Sequence, residues 1–207
     1  MTAGRYYSRG GSFVALTFFL LAAPALPQES RLGEPPRLPI DARQKVESGS
    51  SAPRAASHWV DITNREAVRQ LYQTAYQAVQ TVPFGWSGNV AAGNAGTTSA
   101  EYKNAVITLV NYFRSMAGVP GITHDPELSR KAQLAALMMA AQQQLSHTPP
   151  MNWPHFTADG AEAAQRSNLC LSSNLKPGCV ELYIADRGAS NAPVGPRRWI
   201  IHPQTRR

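Results

Sequence analysis

One stretch decides how the fold is divided: Leu145-Ser146-His147-Thr148-Pro149-Pro150, where a long helical pattern ends. Pro149 and Pro150 cannot continue a helix, since proline lacks the backbone N–H and its ring clashes with the preceding turn. The stretch therefore places His147 in a loop at the end of a helix. A histidine with an ordinary pKa of about 6.5 can act as a base, a metal ligand or a structural donor. His147 alone does not define a function.

Composition and charge narrow the class of protein. The 207 residues are 43% hydrophobic and 16% charged, which suits one domain with extensions and a lightly charged surface. The formal net charge is +7. The basic residues are scattered rather than clustered with aromatic residues, so we do not expect nucleic acid as a partner.

The first residues have the pattern of an export signal. Arg5 and Arg9 precede an apolar run from Phe13 to Ala23, and Ala23-Pro24-Ala25 offers small residues for cleavage after Ala25. We therefore predict a signal peptide over residues 1–25 and a secreted or periplasmic protein. The alternative is a retained N-terminal anchor. The run is too short for a comfortable membrane span, and we predict no other span.

Residues 26–60 are rich in Pro, Arg, Ser, Gly and Glu without an apolar period, which predicts a flexible linker. Three helical patterns follow in the domain predicted over residues 61–207. Thr63 with Glu66 has capping-box spacing and predicts a first helix that begins near Asn64. Thr98 with Glu101 opens the second helix in the same way, and Asp125 before a proline starts the third. Gly118 is predicted to end the second helix.

Several other segments have local predictions. Asn111 and Arg114 lie near the apolar stripe of the second helix, and we expect them to hydrogen-bond across the domain. Trp86, in a Gly- and Asn-rich loop, is predicted to plug the core, with ligand stacking as the alternative. Residues 167–171 suggest a short strand and residues 179–185 a helical face. The last residues of 194–201 suggest a terminal strand.

Cys170 and Cys179 form an even pair in a chain predicted to be exported. In an oxidising compartment such a pair indicates a disulfide, which would close a small loop. A metal site is the weaker interpretation, because neither a Cys-x-x-Cys motif nor a neighbouring histidine supports it.

Several stretches, in this order and spacing, resemble the bacterial branch of the CAP superfamily (cysteine-rich secretory proteins, antigen 5 and pathogenesis-related proteins). Each motif is weak alone, and the set is specific. The stretches are Asn111-Tyr112-Phe113-Arg114, Ala117-Gly118-Val119-Pro120, Asp125-Pro126-Glu127-Leu128, the opening stretch, Ser167-Asn168-Leu169, Asn191-Ala192-Pro193 and Val194-Gly195-Pro196-Arg197-Arg198-Trp199.

The resemblance implies an α+β fold, an α-β-α sandwich around a small central antiparallel sheet. The family domain usually continues past the stretch that ends this chain, so we expect the sheet to lack its final strands. The resemblance also implies a cleft with two His and two acidic residues that can bind zinc. His147 matches the first histidine and Asp186 the second acid. Ser167 falls where the family has a glutamate, and Pro196 where it has the second histidine.

These departures leave His147 and Asp186 as a weak metal pair, since zinc sites normally need three or four protein ligands. Glu162 is the best substitute and joins Ser167 and Arg197 in the predicted cleft. His155 and His202 are weaker substitutes, and we expect no cofactor, with zinc as the alternative.

The predicted function is therefore a non-enzymatic binding module for a lipid, glycan or protein. The alternative is a metal-dependent hydrolase or peptidase-type enzyme using His147 and Asp186. A triad of Ser146, His147 and Asp186 is disfavoured, because adjacent Ser and His side chains cannot easily face each other at a helix end.

Overall fold

A computed structural model describes the backbone strand at residues 15–20 and residues 60–171, 177–187 and 194–205. The predicted linker, except residue 60, and most of the predicted signal peptide lie outside these ranges, as does Asn191-Ala192-Pro193. The elements run in the order β1 (Ala15–Leu20), α1 (Arg65–Leu71), α2 (Ala100–Met116), α3 (Pro126–Gln142), α4 (Ala158–Arg166), β2 (Ser167–Leu171), α5 (Cys179–Ala185) and α6 (Gly195–Ile200).

The start of α1 lies one residue beyond the predicted cap. Asn64 Oδ1 accepts hydrogen bonds from the amides of Glu66 and Ala67, at 3.0 and 3.1 Å, and so caps the helix. Thr63 donates its hydroxyl to Asp61 instead, at 2.6 Å. The predicted Thr63 cap is therefore wrong, because Asp61 engages this hydroxyl. A π-helical segment, Tyr72–Gln77, continues α1.

The start of α2 is also displaced by one residue from the prediction. Ser99 caps the helix by accepting the Tyr102 amide at 3.0 Å, whereas Thr98 is buried beside it. At the other end, Gly118 has a φ of +66°, the left-handed conformation that glycine adopts without strain just after a helix. The predicted end at Gly118 is confirmed.

The start of α3 is confirmed and its end is earlier than predicted. Asp125 Oδ1 accepts the amides of Glu127 and Leu128 at 3.0 Å, and Pro126 fills the first turn, where its missing N–H costs nothing. The helix ends at Gln142 because Gln143 adopts a left-handed φ of 57°. The two prolines therefore do not stop the helix.

Two hydrophobic clusters form the core. The first cluster gathers residues from α2, α5 and α6, with additions from the segment before α2. The second cluster lies between α3 and α4 and includes Trp153. The buried members of the first cluster are Val79, Phe84, Tyr102, Ala105, Val106, Leu109, Val110, Ile122, Cys170, Cys179, Val180, Tyr183 and Ile200.

Strand β2 lies at the boundary of the two clusters. Cys170 belongs to the first cluster, and its neighbour Leu169 packs against the second. Successive side chains of a strand point to opposite faces, so one short strand serves both clusters. The Cys170–Cys179 disulfide, predicted from the sequence, is present and ties β2 to the start of α5.

The strand content is limited to one pair within the described ranges. β1 pairs antiparallel with β2, with Ala15 opposite Leu171 and Thr17 opposite Leu169. Helices with strands agree with the predicted α+β class, while a single pair does not establish the central sheet of a sandwich.

The predicted terminal strand is wrong, because residues 195–200 form helix α6. Pro196 suits a first helical turn, and Val194 turns the chain into the helix with a left-handed φ of 45°. Ile200 is buried while Arg198 and Trp199 are exposed, so the segment buries one side of a helix rather than alternate residues of a strand.

The structure also bears on the predictions for Trp86 and for membrane spans. Trp86 packs against the first cluster and donates its indole N–H to the Ala95 carbonyl at 2.8 Å, which confirms the core interpretation. Across the described ranges, no helix is both long enough and apolar enough to cross a membrane.

Candidate functional site

The junction of α4 and β2 organises the candidate site. Thr157 caps α4 by accepting the Gly160 amide at 3.0 Å, and the helix passes directly into β2 at Ser167 without a loop. His147 contacts the junction at Ala164, and Asn168 of β2 donates to the carbonyl of Pro196. The junction therefore fixes the relative positions of parts of the chain that are distant in sequence.

His147 is exposed and is held against α4 by one hydrogen bond. Its Nδ1 lies 2.8 Å from the carbonyl oxygen of Ala164. A carbonyl oxygen only accepts hydrogen bonds, so the proton of this contact belongs to Nδ1. In the neutral ring, Nε2 is then the nitrogen that can accept a proton or bind a metal.

Asp186 and Arg197 form the other side of the site. Asp186 is 9% exposed and adopts a left-handed φ of 44° just after α5. Its Oδ2 accepts the backbone amide of Arg197 at 3.1 Å. The Arg197 side chain donates to the carbonyls of Ile184 and Ala185 at 2.6 and 2.8 Å, which satisfies the free carbonyls at the end of α5.

Asn168 connects β2 to this second group. Its side-chain amide donates to the Pro196 carbonyl at 3.2 Å, and its own carbonyl accepts the Tyr183 hydroxyl at 3.0 Å. The sequence predicted neither bond. A buried tyrosine on a helical face needs a hydroxyl partner, and that requirement was the available signal. His147 contacts Ala164, three residues before Ser167, so the two groups flank the same junction.

Ser167 occupies the centre of the junction and is 3% exposed. Its Oγ is buried, and no hydrogen-bond partner for it exists among the described residues. A buried hydroxyl without a partner loses its hydration without compensation. Position 167 therefore holds a buried polar group that makes no hydrogen bond to the described residues.

Replacing Ser167 by alanine is expected to raise the free energy of unfolding by about 1 kcal/mol, because the uncompensated hydroxyl is removed. Urea unfolding of the full chain measures the change. Ser146→Ala is the matched control, since the Ser146 hydroxyl accepts the Thr148 amide at 3.0 Å and its loss should not stabilise. A clear loss of stability in Ser167→Ala would show that the hydroxyl has a partner.

Glu162 forms one ion pair with Lys131 of α3 and a second with Arg166 in its own helix, α4. Its Oε2 lies 2.7 Å from Lys131 Nζ, and its Oε1 lies 3.3 Å from Arg166. The hydrogen bond from Lys131 and its positive charge lower the pKa of the Glu162 carboxyl. Residues 162 and 164 are about 200° apart around a helix, so Glu162 projects away from the side that His147 contacts.

His155 and His202, the weaker candidates to replace the missing ligands, contact other parts of the chain. His155 adopts a left-handed φ of 58°, and a Cβ added to Gly93 would come within 2.7 Å of its Nδ1. His155 therefore covers the loop that contains Gly93. The ring of His202 lies beside Trp199, with 5.8 Å between the ring centroids.

The residues at the junction do not fit a zinc site of the usual kind. Ser167 and Pro196 bring no imidazole or carboxylate, and one oxygen of Asp186 already accepts the Arg197 amide. In the part of the chain that the structure describes, no three His, Cys, Asp or Glu side chains gather closely enough to hold a metal ion.

The hydrogen bonds of Ser146 and His147 differ from those that the disfavoured triad requires. A triad needs the acid to orient the histidine through its second nitrogen. Here Nδ1 of His147 faces the Ala164 carbonyl, and Ser146 Oγ accepts the Thr148 amide. The site can offer a ligand the Nε2 side of His147, while the Arg197 guanidinium is engaged by the end of α5.

One family model matches part of the chain. Residues 107–207 match the model of CAP, described as the cysteine-rich secretory protein family, and this match supports the CAP superfamily. The matched segment is just under half of the chain and contains the whole junction described above. Neither the curated proteins nor the solved structures contain a match to the chain.

Proposed function

We propose that this chain is an exported CAP-superfamily protein, of the bacterial branch, and that its domain is a non-enzymatic binding module. The family match over residues 107–207 supports the CAP-domain part of this proposal. The Cys170–Cys179 disulfide is typical of proteins in oxidising compartments and supports export. The proposed α-β-α sandwich is supported by β2, whose neighbouring residues pack into two separate clusters.

One observation carries the non-enzymatic proposal: His147 and Asp186, the two family positions that keep their ligand type, make structural hydrogen bonds. His147 bonds the Ala164 carbonyl, Asp186 bonds the Arg197 amide, and position 196 is a proline. A catalytic base must reach the proton that it removes, and a catalytic metal needs about three protein ligands. The contacts favour neither role.

The hydrogen-bonding groups at the site indicate a broad class of ligand. The predicted site offers a surface with the Nε2 side of an exposed histidine, while the Arg197 guanidinium is held by the carbonyls that end α5. Such a surface suits hydrogen bonding to a lipid headgroup, a glycan or a protein. We do not propose nucleic acid, since the basic residues are scattered along the chain.

Zinc calorimetry on the full chain tests the proposal. We expect no micromolar binding, because two weak ligands hold zinc poorly. The matched gain-of-ligand variant is Ser167→Glu with Pro196→His, which returns both side chains that the family resemblance implies. That variant is expected to bind zinc more tightly than the unmodified chain.

The alternative is a metal-dependent hydrolase that uses His147 and Asp186. The observation in its favour is that His147 is exposed, with its Nε2 left for a ligand. Micromolar zinc binding by the unmodified chain that disappears in His147→Ala would favour this alternative and contradict the non-enzymatic proposal.

A further inference from the structure

The edge of β2 that pairs with β1 carries backbone groups that need hydrogen-bond partners. β2 brings Leu169 to the second cluster and Cys170 to the first, so each of its faces carries a packed residue, while Leu171 at its end is exposed. A strand covered on both faces exposes its backbone N–H and C=O groups only along its edges. An edge without a partner strand leaves these groups unpaired beside an apolar environment, which costs free energy.

An extended apolar segment from the other end of the chain covers this edge. β1 runs antiparallel to β2 over the full length of β2, from Ala15 opposite Leu171 to Leu20 opposite Ser167. It also lies beside α3 and α4, which form the second cluster. Its sequence, Ala-Leu-Thr-Phe-Phe-Leu, contains no charge and is rich in residues that favour strands.

We propose that the edge of β2 and the adjoining side of α3 form a strand-acceptor site, and that Ala15–Leu20 is its intramolecular occupant. The ligand class is an extended, uncharged, apolar peptide segment. Main-chain hydrogen bonds to β2 supply affinity, and the adjoining helices favour apolar side chains, as in other cases of strand addition. The acceptor edge begins at Ser167 and so adjoins the His147 site, but strand pairing along β2 does not use the His147 imidazole.

The same residues belong to the segment that the sequence predicts as a signal peptide. Removal of residues 1–25 would take β1 away and open the acceptor site to a strand from elsewhere. Retention of residues 1–25 would leave the site filled. The occupancy of one site is therefore coupled to the processing of the N-terminus.

Disulfide trapping in the full chain, produced without export, tests the occupant. Ala15→Cys with Leu171→Cys places cysteines at directly paired positions, where Cα atoms of antiparallel partners fall in the range that a disulfide needs. Thr17→Cys with Leu171→Cys is the matched control, two residues out of register. Peptide mapping after oxidation distinguishes the new bond from exchange with Cys170 and Cys179.

We expect an intramolecular disulfide in the paired variant and loss of that bond in the control. A disulfide between two chains would overturn the intramolecular assignment and give the site to a second copy. Equal bonding in both variants, or in neither, would overturn the paired register and with it the proposal.

A peptide experiment tests whether the site accepts a strand added from outside. A labelled peptide of residues 13–22 with a lysine tail is titrated into the unmodified full chain and into Thr17→Pro, which disrupts β1. Binding to Thr17→Pro is expected to be about tenfold tighter or more, because the internal strand no longer occupies the site. A peptide that carries the same proline is the control and should not bind.

Equal binding of both peptides would indicate nonspecific apolar association and would overturn the acceptor site. Absence of binding to Thr17→Pro, in a chain whose circular dichroism matches that of the unmodified chain, would also overturn it. If Thr17→Pro fails to fold, the disulfide result decides the assignment.

Discussion

Replacing Arg114 by alanine is expected to lower the free energy of unfolding by about 3–5 kcal/mol. Arg114 is fully buried, and its guanidinium donates to four backbone carbonyls. The bonds run to Pro120 at 2.7 Å, Ile200 at 2.6 Å, His202 at 3.1 Å and Thr205 at 3.2 Å. The substitution leaves these carbonyls without that donor and opens a cavity, and each effect destabilises.

Urea unfolding followed by circular dichroism measures this change. Arg198→Ala is the matched control, because Arg198 is an exposed arginine in the helix that leads to the same segment. A change within about 0.5 kcal/mol is expected for the control. Arg114→Lys should recover only part of the loss, since one ammonium cannot reproduce the planar fork of a guanidinium. A loss in Arg114→Ala no larger than that of the control would contradict the role of Arg114.

Replacing Cys170 by serine is expected to lower the free energy of unfolding by about 2–3 kcal/mol, the second large effect. Cys170 and Cys179 are 6% and 3% exposed and belong to the first cluster, and their bond closes a short loop between β2 and α5. Loss of the bond returns conformational freedom to the unfolded chain and leaves a polar serine among apolar residues.

The double variant Cys170→Ala with Cys179→Ala separates these two causes, because it removes the bond without adding a hydroxyl. It should lose somewhat less stability than Cys170→Ser. Thiol titration of the unmodified, oxidised chain gives an independent check. Two reactive thiols per chain would contradict the bridge, and then neither substitution should cost as much.

The sequence predicted best where local chemistry decides the structure. Asp125 with Pro126 started α3 as expected, because side-chain capping and the fixed φ of proline act within one turn. The disulfide followed from the count of cysteines and the expected compartment. Arg114 and Asn111 were expected to bond across the domain, and both do, Asn111 with the backbone of Ile122.

The predictions that failed depend on competition between neighbours or on distant parts of the chain. Thr63 had the spacing of a cap, but Asp61 accepts its hydroxyl and Asn64 replaces it. The apolar residues near Ile200 suggested a strand, but burial against α5 and the clamp from Arg114 place them in a helix. The apolar run at residues 15–20 was interpreted only as a signal, because pairing with a strand so far along the chain leaves no local pattern.

The candidate site stays a prediction, and the structure gives only the positions of its residues. His147 and Asp186 do lie in segments that flank one junction, whereas their hydrogen-bond partners depend on the position of α4 and of the Arg197 amide. Such partners are backbone groups, which carry no sequence signal of their own. The two residues stay predictions as metal ligands.

The division of the core into two clusters has a consequence for the order in which the molecule assembles. The buried residues of the second cluster all lie between Ala135 and Ala164, so they meet by closing short loops. Buried residues of the first cluster span Val79 to Ile200 and include the segment held by Arg114. Short-range contacts form faster than long-range ones. The second cluster, between α3 and α4, can therefore form early. The first cluster forms only when α5 and α6 are in place. β2 is the strand that joins the two clusters.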